Sequence, residues 1–137
     1  MKILGRHLIV ELADCNRSVL NNQPLLEECF KEAVRRSGAT IVKSVFHQYN
    51  PQGISGVIVI AESHISIHTW PEYGYAAVDF FTCGDSVDPH KAFEYVKASL
   101  ESKDAHVVEM MRGIPSETDE IISHKPFQQF KAASAAR

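Results

Sequence analysis

The sequence predicts an α+β two-layer sandwich: a mainly antiparallel sheet with two helices on one face, in the order β-α-β-β-β-β-α-β. Three observations carry that expectation. Apolar residues recur with helical spacing in only two stretches, around Leu26–Val34 and Ala92–Leu100, each with its own start signal. Around and between them, short runs alternate or cluster apolar residues as strands do. The chain has 137 residues, 45% hydrophobic and 23% charged, which suits one compact domain and leaves little room for two.

Residues 6–14, RHLIVELAD, read as the first strand, followed by a polar stretch from Asn16 to Gln23. Pro24 suits a first helical position, where its missing N–H costs nothing. Leu26, Cys29, Phe30, Ala33 and Val34 then share one helical face, and Gly38 stands where a left-handed cap would end the helix. Cys29 reads as a small core residue, because free Cys is readily buried. Arg35-Arg36, the densest basic spot, reads as a solvated helix end.

From Ala39 the pattern is extended, over residues 39–49, 54–61, 64–70 and 75–82. Val57-Ile58-Val59-Ile60 is apolar on both faces, so that strand needs cover on both sides. A two-layer domain covers one side. A second copy of the chain would cover the other, giving a homodimer with four layers, αββα. Over 64–70 the two faces differ, because alternate strand side chains point opposite ways. Ile65, Ile67 and Thr69 share one face; His64, Ser66, His68 and Trp70 share the other.

Asp88-Pro89 supplies an N-cap and first-turn proline for the second helix, whose buried stripe is Ala92, Phe93, Val96 and Leu100. A last strand is expected at 105–112. The domain is expected to span 1–113. Residues 114–137, with Pro115, Pro126 and the ending AASAAR, are expected to form a loosely held tail. His7–Cys15 and Tyr75–Cys83, both strand-like and both ending in Cys, hint at an internal repeat.

A net charge of -3 offers no field that would draw nucleic acid or anionic lipid. The apolar runs stop short of a membrane span, and the N-terminus shows no signal-peptide core. A cytoplasmic protein is therefore expected. Three widely spaced cysteines and no CxxC pair argue against a disulfide framework or a thiolate zinc site.

One segment concentrates chemistry: ESHISIHTWPEYGYAAVDFFTCGD, from Glu62 to Asp85. It carries a hydroxyl (Ser63), an imidazole (His68) and a thiol (Cys83) on strand ends or adjacent turns, where reactive groups are often displayed. His64 and His68, four apart, would meet on a helix, but Ile65, Ser66, Ile67 and Thr69 favour a strand and no HExxH context exists. No metal site is expected. Taken singly, Ser63 could be a turn residue, His68 a hydrogen-bonded sheet residue and Cys83 a buried thiol. Residue types alone leave both readings open.

The segment resembles the short, bacterial-type S-adenosylmethionine decarboxylases. Its elements are Glu62-Ser63-His64, then Ile65-Ser66-Ile67-His68-Thr69-Trp70-Pro71-Glu72, then Phe81-Thr82-Cys83-Gly84. The likeness extends to GRHL at Gly5–Leu8, SGATIV at Ser37–Val42, GISGV at Gly53–Val57 and DPHKAFEYV at Asp88–Val96. Ile65-Ser66-Ile67 stands where leucine/threonine versions are commoner.

The resemblance implies a proenzyme that cuts itself between Glu62 and Ser63, leaving a β chain of 1–62 and an α chain from 63. Ser63 would become a covalent pyruvoyl group, the electron sink that forms a Schiff base with S-adenosylmethionine. The product would be an aminopropyl donor for spermidine biosynthesis, released with carbon dioxide. His68 is implied as the base in processing, and Cys83 as proton donor to the decarboxylated carbon. Tyr49 and Trp70 are candidates to stack on adenine or the sulfonium, Glu72 to accept from ribose hydroxyls, and Ser55 to position the processing site. A pyruvoyl-dependent arginine or ornithine decarboxylase is the nearest alternative. A silent ligand-binding relative would be expected to lack one of Ser63, His68 and Cys83. A Cys–His hydrolase would need an oxyanion hole that the sequence does not reveal.

Overall fold

A computed structural model describes residues 3–114. The elements are β1 (Gly5–Ala13), α1 (Arg17–Leu20), α2 (Gln23–Ser37), β2 (Thr40–Gln48), β3 (Ile54–Ala61), β4 (Ser63–Trp70), β5 (Tyr75–Thr82), α3 (Pro89–Ser99) and β6 (Asp104–Arg112). The six strands form one sheet in the order β2-β3-β4-β5-β1-β6, with every neighbouring pair antiparallel. The expected plan holds, with one correction. The polar stretch after β1 contains the short helix α1, because Asn16 Oδ1 accepts the Ser18 and Val19 N–H groups and Leu20 is fully buried. The order is thus β-α-α-β-β-β-β-α-β. The expected tail lies outside the described residues, apart from Ile114.

Start and stop signals act where the chemistry places them. Asn22 accepts the Leu25 N–H at the head of α2, and Gly38 closes that helix with φ 88°. Asp88 accepts the His90 N–H and Pro89 opens α3. Arg35 and Arg36 pair with Glu28 and Glu32 on the α2 surface. The core lies between the helices and one sheet face. There Leu8, Val10, Ile58, Ile65, Val78 and Phe80 meet Leu26, Phe30, Val34, Phe93 and Val96. Thr69 is buried on the same face because its hydroxyl accepts the Ile54 N–H and donates to the Leu20 carbonyl, at 2.9 and 2.8 Å.

The other sheet face is open, and the ladder register arranges it in rows. One row crosses the sheet as Val45, Val57, Ser66, Asp79, Ile9 and Val108. The next, towards the start of β4, runs Lys43, Val59, His64, Phe81, His7 and Met110. The row on the far side runs His47, Ser55, His68, Ala77, Glu11 and His106. Val57 and Val59 are each 42% exposed, whereas Ile58 is fully buried. Apolar flanks therefore frame a polar centre. No helix among the described residues is long and apolar enough to cross a membrane.

Candidate active site

The residues singled out in the sequence fall into two groups at opposite ends of β4. In the first, Ala61 and Glu62 turn the chain from β3 to β4, and Ser63 pairs with Ile60 on one side and Thr82 on the other. Ser63 has φ 114°, a region costly for an L side chain and held only where surrounding structure imposes it. The Glu62–Ser63 bond therefore sits at a hairpin tip pinned by two ladders. The Thr82 pairing brings Cys83 to the same end of the sheet, at the turn before Gly84. Burial pushes the Cys83 thiol up, which keeps its proton on at neutral pH.

The second group lies at the other end of β4. Ser55 faces His68 in the β3–β4 register, and Ser55 Oγ is 2.6 Å from His68 Nδ1. The Tyr49 hydroxyl donates to the same Ser55 oxygen at 3.1 Å. His68 is thus held through Nδ1, and among the described residues its Nε2 is the nitrogen left to exchange a proton. The rings form a ladder: Tyr49 to His68 at 5.8 Å, His68 to Trp70 at 4.2 Å, and Trp70 stacked on Tyr75 at 5.1 Å. Glu72 is exposed in the short turn Pro71–Tyr73 directly after Trp70. Tyr75 donates to Glu11, and burial together with that carboxylate pushes its hydroxyl up to about 12.

Ser63 and His68 do not meet within one chain. Five residues of extended strand separate them, roughly 16 Å at 3.3 Å per residue. The alternation that puts His68 on the open face also carries it to the far end of β4 from Ser63. His64 and His68 are likewise kept apart along β4.

Between the two groups lies a cluster that the sequence reading missed. Asp79 Oδ2 accepts from His7 Nε2 at 2.8 Å and from His64 Nε2 at 3.2 Å, while Ser66 Oγ donates to Asp79 Oδ1. The available signal was a single acid in the otherwise uncharged run Ala76–Phe81, on the face shared with His64 and Ser66. The ligand-type atoms of His7, His64 and Asp79 lie within 4.8 Å of one another. Arg112 nevertheless donates to His7 Nδ1 at 3.2 Å, which leaves the His7 proton on Nε2, facing Asp79. In this arrangement the trio forms a hydrogen-bond network. An open groove of about 570 Å³ runs along this face from Ser55 and His68 past Ala77 to Asp79 and His7.

Comparison with known proteins bears on this arrangement. The sequence profile described as S-adenosylmethionine decarboxylase matches residues 6–113. The S-adenosylmethionine decarboxylase proenzyme of Thermosipho melanesiensis is 60% identical over 113 residues, covering 82% of this chain and 87% of that relative. The proenzyme of Thermotoga maritima shows the same identity and coverage. The crystal structure of the adenosylmethionine decarboxylase from Aquifex aeolicus superposes with a TM-score of 0.81 at 35% identity, covering 88% of this chain and 99% of that one.

Proposed function

This chain belongs to the S-adenosylmethionine decarboxylase family, and from that premise we propose a self-cutting decarboxylase whose working unit is a homodimer. It converts S-adenosylmethionine to the decarboxylated aminopropyl donor and carbon dioxide; the relatives are named for that substrate, not for arginine or ornithine. The observation that carries the processing step is the placement of Ser63 at a hairpin tip, at φ 114°, beside the Cys83 turn.

Processing begins when Ser63 Oγ attacks the Glu62 carbonyl carbon and the C–N bond breaks, turning the amide into an ester with a free amine. Removal of the Ser63 Cα proton expels the Glu62 carboxylate and leaves a dehydroalanine. Water then replaces the amine as ammonia, and the α chain begins with a pyruvoyl group. Position 63 suits such a group: it begins a strand whose following residues stay held by β3 and β5 after the cut. When present, this carbonyl conjugates to the substrate amine and takes up the electrons left as carbon dioxide departs. Cys83 holds the proton that the product carbon requires. Trp70 and Tyr49 offer ring faces for adenine or the sulfonium, and Glu72 an acceptor for ribose hydroxyls.

His68 is the proton carrier for processing, with Ser55 holding its ring, and the dimer resolves the distance along β4. Face-to-face packing of two identical sheets needs a two-fold axis lying between them. If the axis runs across the strands near the Ser66–Asp79 row, the Ser63 end of one subunit lies over the His68 end of its partner. Each dimer then has two sites, each with Ser63 and Cys83 from one subunit and Ser55 and His68 of the partner subunit. The exposed flanks Val45, Val57, Val59, Ile9, Val108 and Met110 would be covered by the same packing.

Intact-mass analysis with a carbon dioxide release assay tests the reading. Two fragments cut between Glu62 and Ser63, and release from S-adenosylmethionine but not arginine or ornithine, are expected. A single uncut chain in fresh and aged protein would overturn the processing claim.

A further inference from the structure

We propose that Asp79 is a positioning residue that clamps His64, and through it holds position 63 in place once the chain has been cut; this rests on the self-cutting decarboxylase reading above. After the cut, position 63 is a chain end, and ends fray unless something ties them down. His64 is the next residue, and its side chain is gripped from two directions. Asp79 accepts from its Nε2 at 3.2 Å, and the Phe81 ring meets it edge-on at 5.7 Å between centroids.

Both parts of the grip are themselves fixed. Arg112 holds His7 through Nδ1, His7 donates to Asp79 at 2.8 Å, and Ser66 takes the other carboxylate oxygen. His7 also stacks on Phe81 at 4.9 Å, and the Arg112 guanidinium lies over the same ring at 4.7 Å. Phe81 can lie there because residue 5 is glycine: a Cβ would fall 2.4 Å from its Cε1. Strands β1, β5 and β6 thus converge on the residue that follows Ser63. A reacting carbonyl misplaced by about 1 Å can lose on the order of 10²-fold in rate. A clamp of this kind acts on the rate of the bound complex and leaves affinity largely alone.

A double-mutant cycle in the full-length, processed protein tests this. His64→Ala and Asp79→Asn are each expected to lower kcat by about 10- to 100-fold with KM within about threefold of wild type. The double variant should be no slower than the worse single one. His64→Gln, which keeps a donor, should recover part of the rate only when Asp79 is present. Backbone amides 64–66 should exchange faster in Asp79→Asn than in wild type. Multiplicative losses in the double variant, wild-type kcat in either single variant, or unchanged exchange at 64–66 would each overturn the clamp. Wild-type protein that is neither cut nor active would sink the functional reading instead, and the exchange comparison would still decide whether Asp79 restrains His64.

Discussion

Ser63 and His68 share one strand but stand at its opposite ends, the first opposite Thr82 and the second opposite Ala77. An extended chain cannot fold five residues back on themselves without breaking its ladders. If both act in one reaction, they must come from different subunits.

That requirement gives the first prediction. On the proposed mechanism, Ser63→Ala alone lacks the attacking oxygen, and His68→Ala alone lacks the proton carrier. Co-expressed, they should form mixed dimers in which one of the two sites is complete. Random pairing makes half of the dimers mixed, so about a quarter of wild-type activity should return. Activity no higher than the single variants, with mixed dimers confirmed by mass, would mean that each site is built within one chain.

Processing and its proton carrier should separate by variant. Ser63→Ala should stay a single chain indefinitely, because no other group replaces the nucleophile at the hairpin tip. Ser55→Ala keeps His68 but removes the 2.6 Å contact that orients Nδ1. Cutting should slow by about 10- to 100-fold, at or below the roughly 10²–10⁴-fold that a positioned acid–base group contributes, without stopping. Fragment formation timed by denaturing electrophoresis distinguishes the two, and wild-type rates in Ser55→Ala would remove Ser55 from the mechanism.

Most of the fold was legible because its signals are local. The period of two over residues 64–70 separated Ile65, Ile67 and Thr69 from His64, Ser66, His68 and Trp70, and the two sets do lie on opposite faces. Asp88-Pro89 and Gly38 marked helix ends that the structure keeps. Helix α1 was hidden because one Asn cap and one buried Leu leave no periodic pattern in four residues. The Asp79 cluster was hidden for another reason. Its partners His7 and Arg112 come from β1 and β6, and only sheet order brings them beside β4 and β5. The separation of Ser63 from His68 was implicit in reading 64–70 as a strand, because an extended chain carries residues five apart to different ends.

Thr69 offers a test of the core rather than the chemistry. Its hydroxyl serves two buried backbone groups, from Ile54 and Leu20. Thr69→Val keeps the shape and strands both, so unfolding free energy should fall by about 1–3 kcal/mol. Urea denaturation at fixed protein concentration, needed because the proposed dimerisation would add to apparent stability, would measure it. An unchanged midpoint would show that the two backbone groups find other partners.

On the proposed mechanism, Cys83 separates the two stages of the reaction. The acyl shift at Ser63 needs a hydroxyl and a base but no thiol, so Cys83→Ala should still cut its chain. Decarboxylation should fall by about 10²-fold or more, the scale for losing a positioned proton donor. The pH profile adds a second reading. Burial raises the Cys83 thiol, so its protonated form persists to higher pH than a free cysteine. Donation then holds below the folded-state pKa and is lost as pH rises through it. The alkaline limb of kcat in wild type should therefore lie above the ordinary thiol value of about 8.5. In Cys83→Ala the residual rate should lack that limb. A variant that keeps full activity, or the same alkaline limb without the thiol, would make Cys83 a packing residue and move the donor role elsewhere.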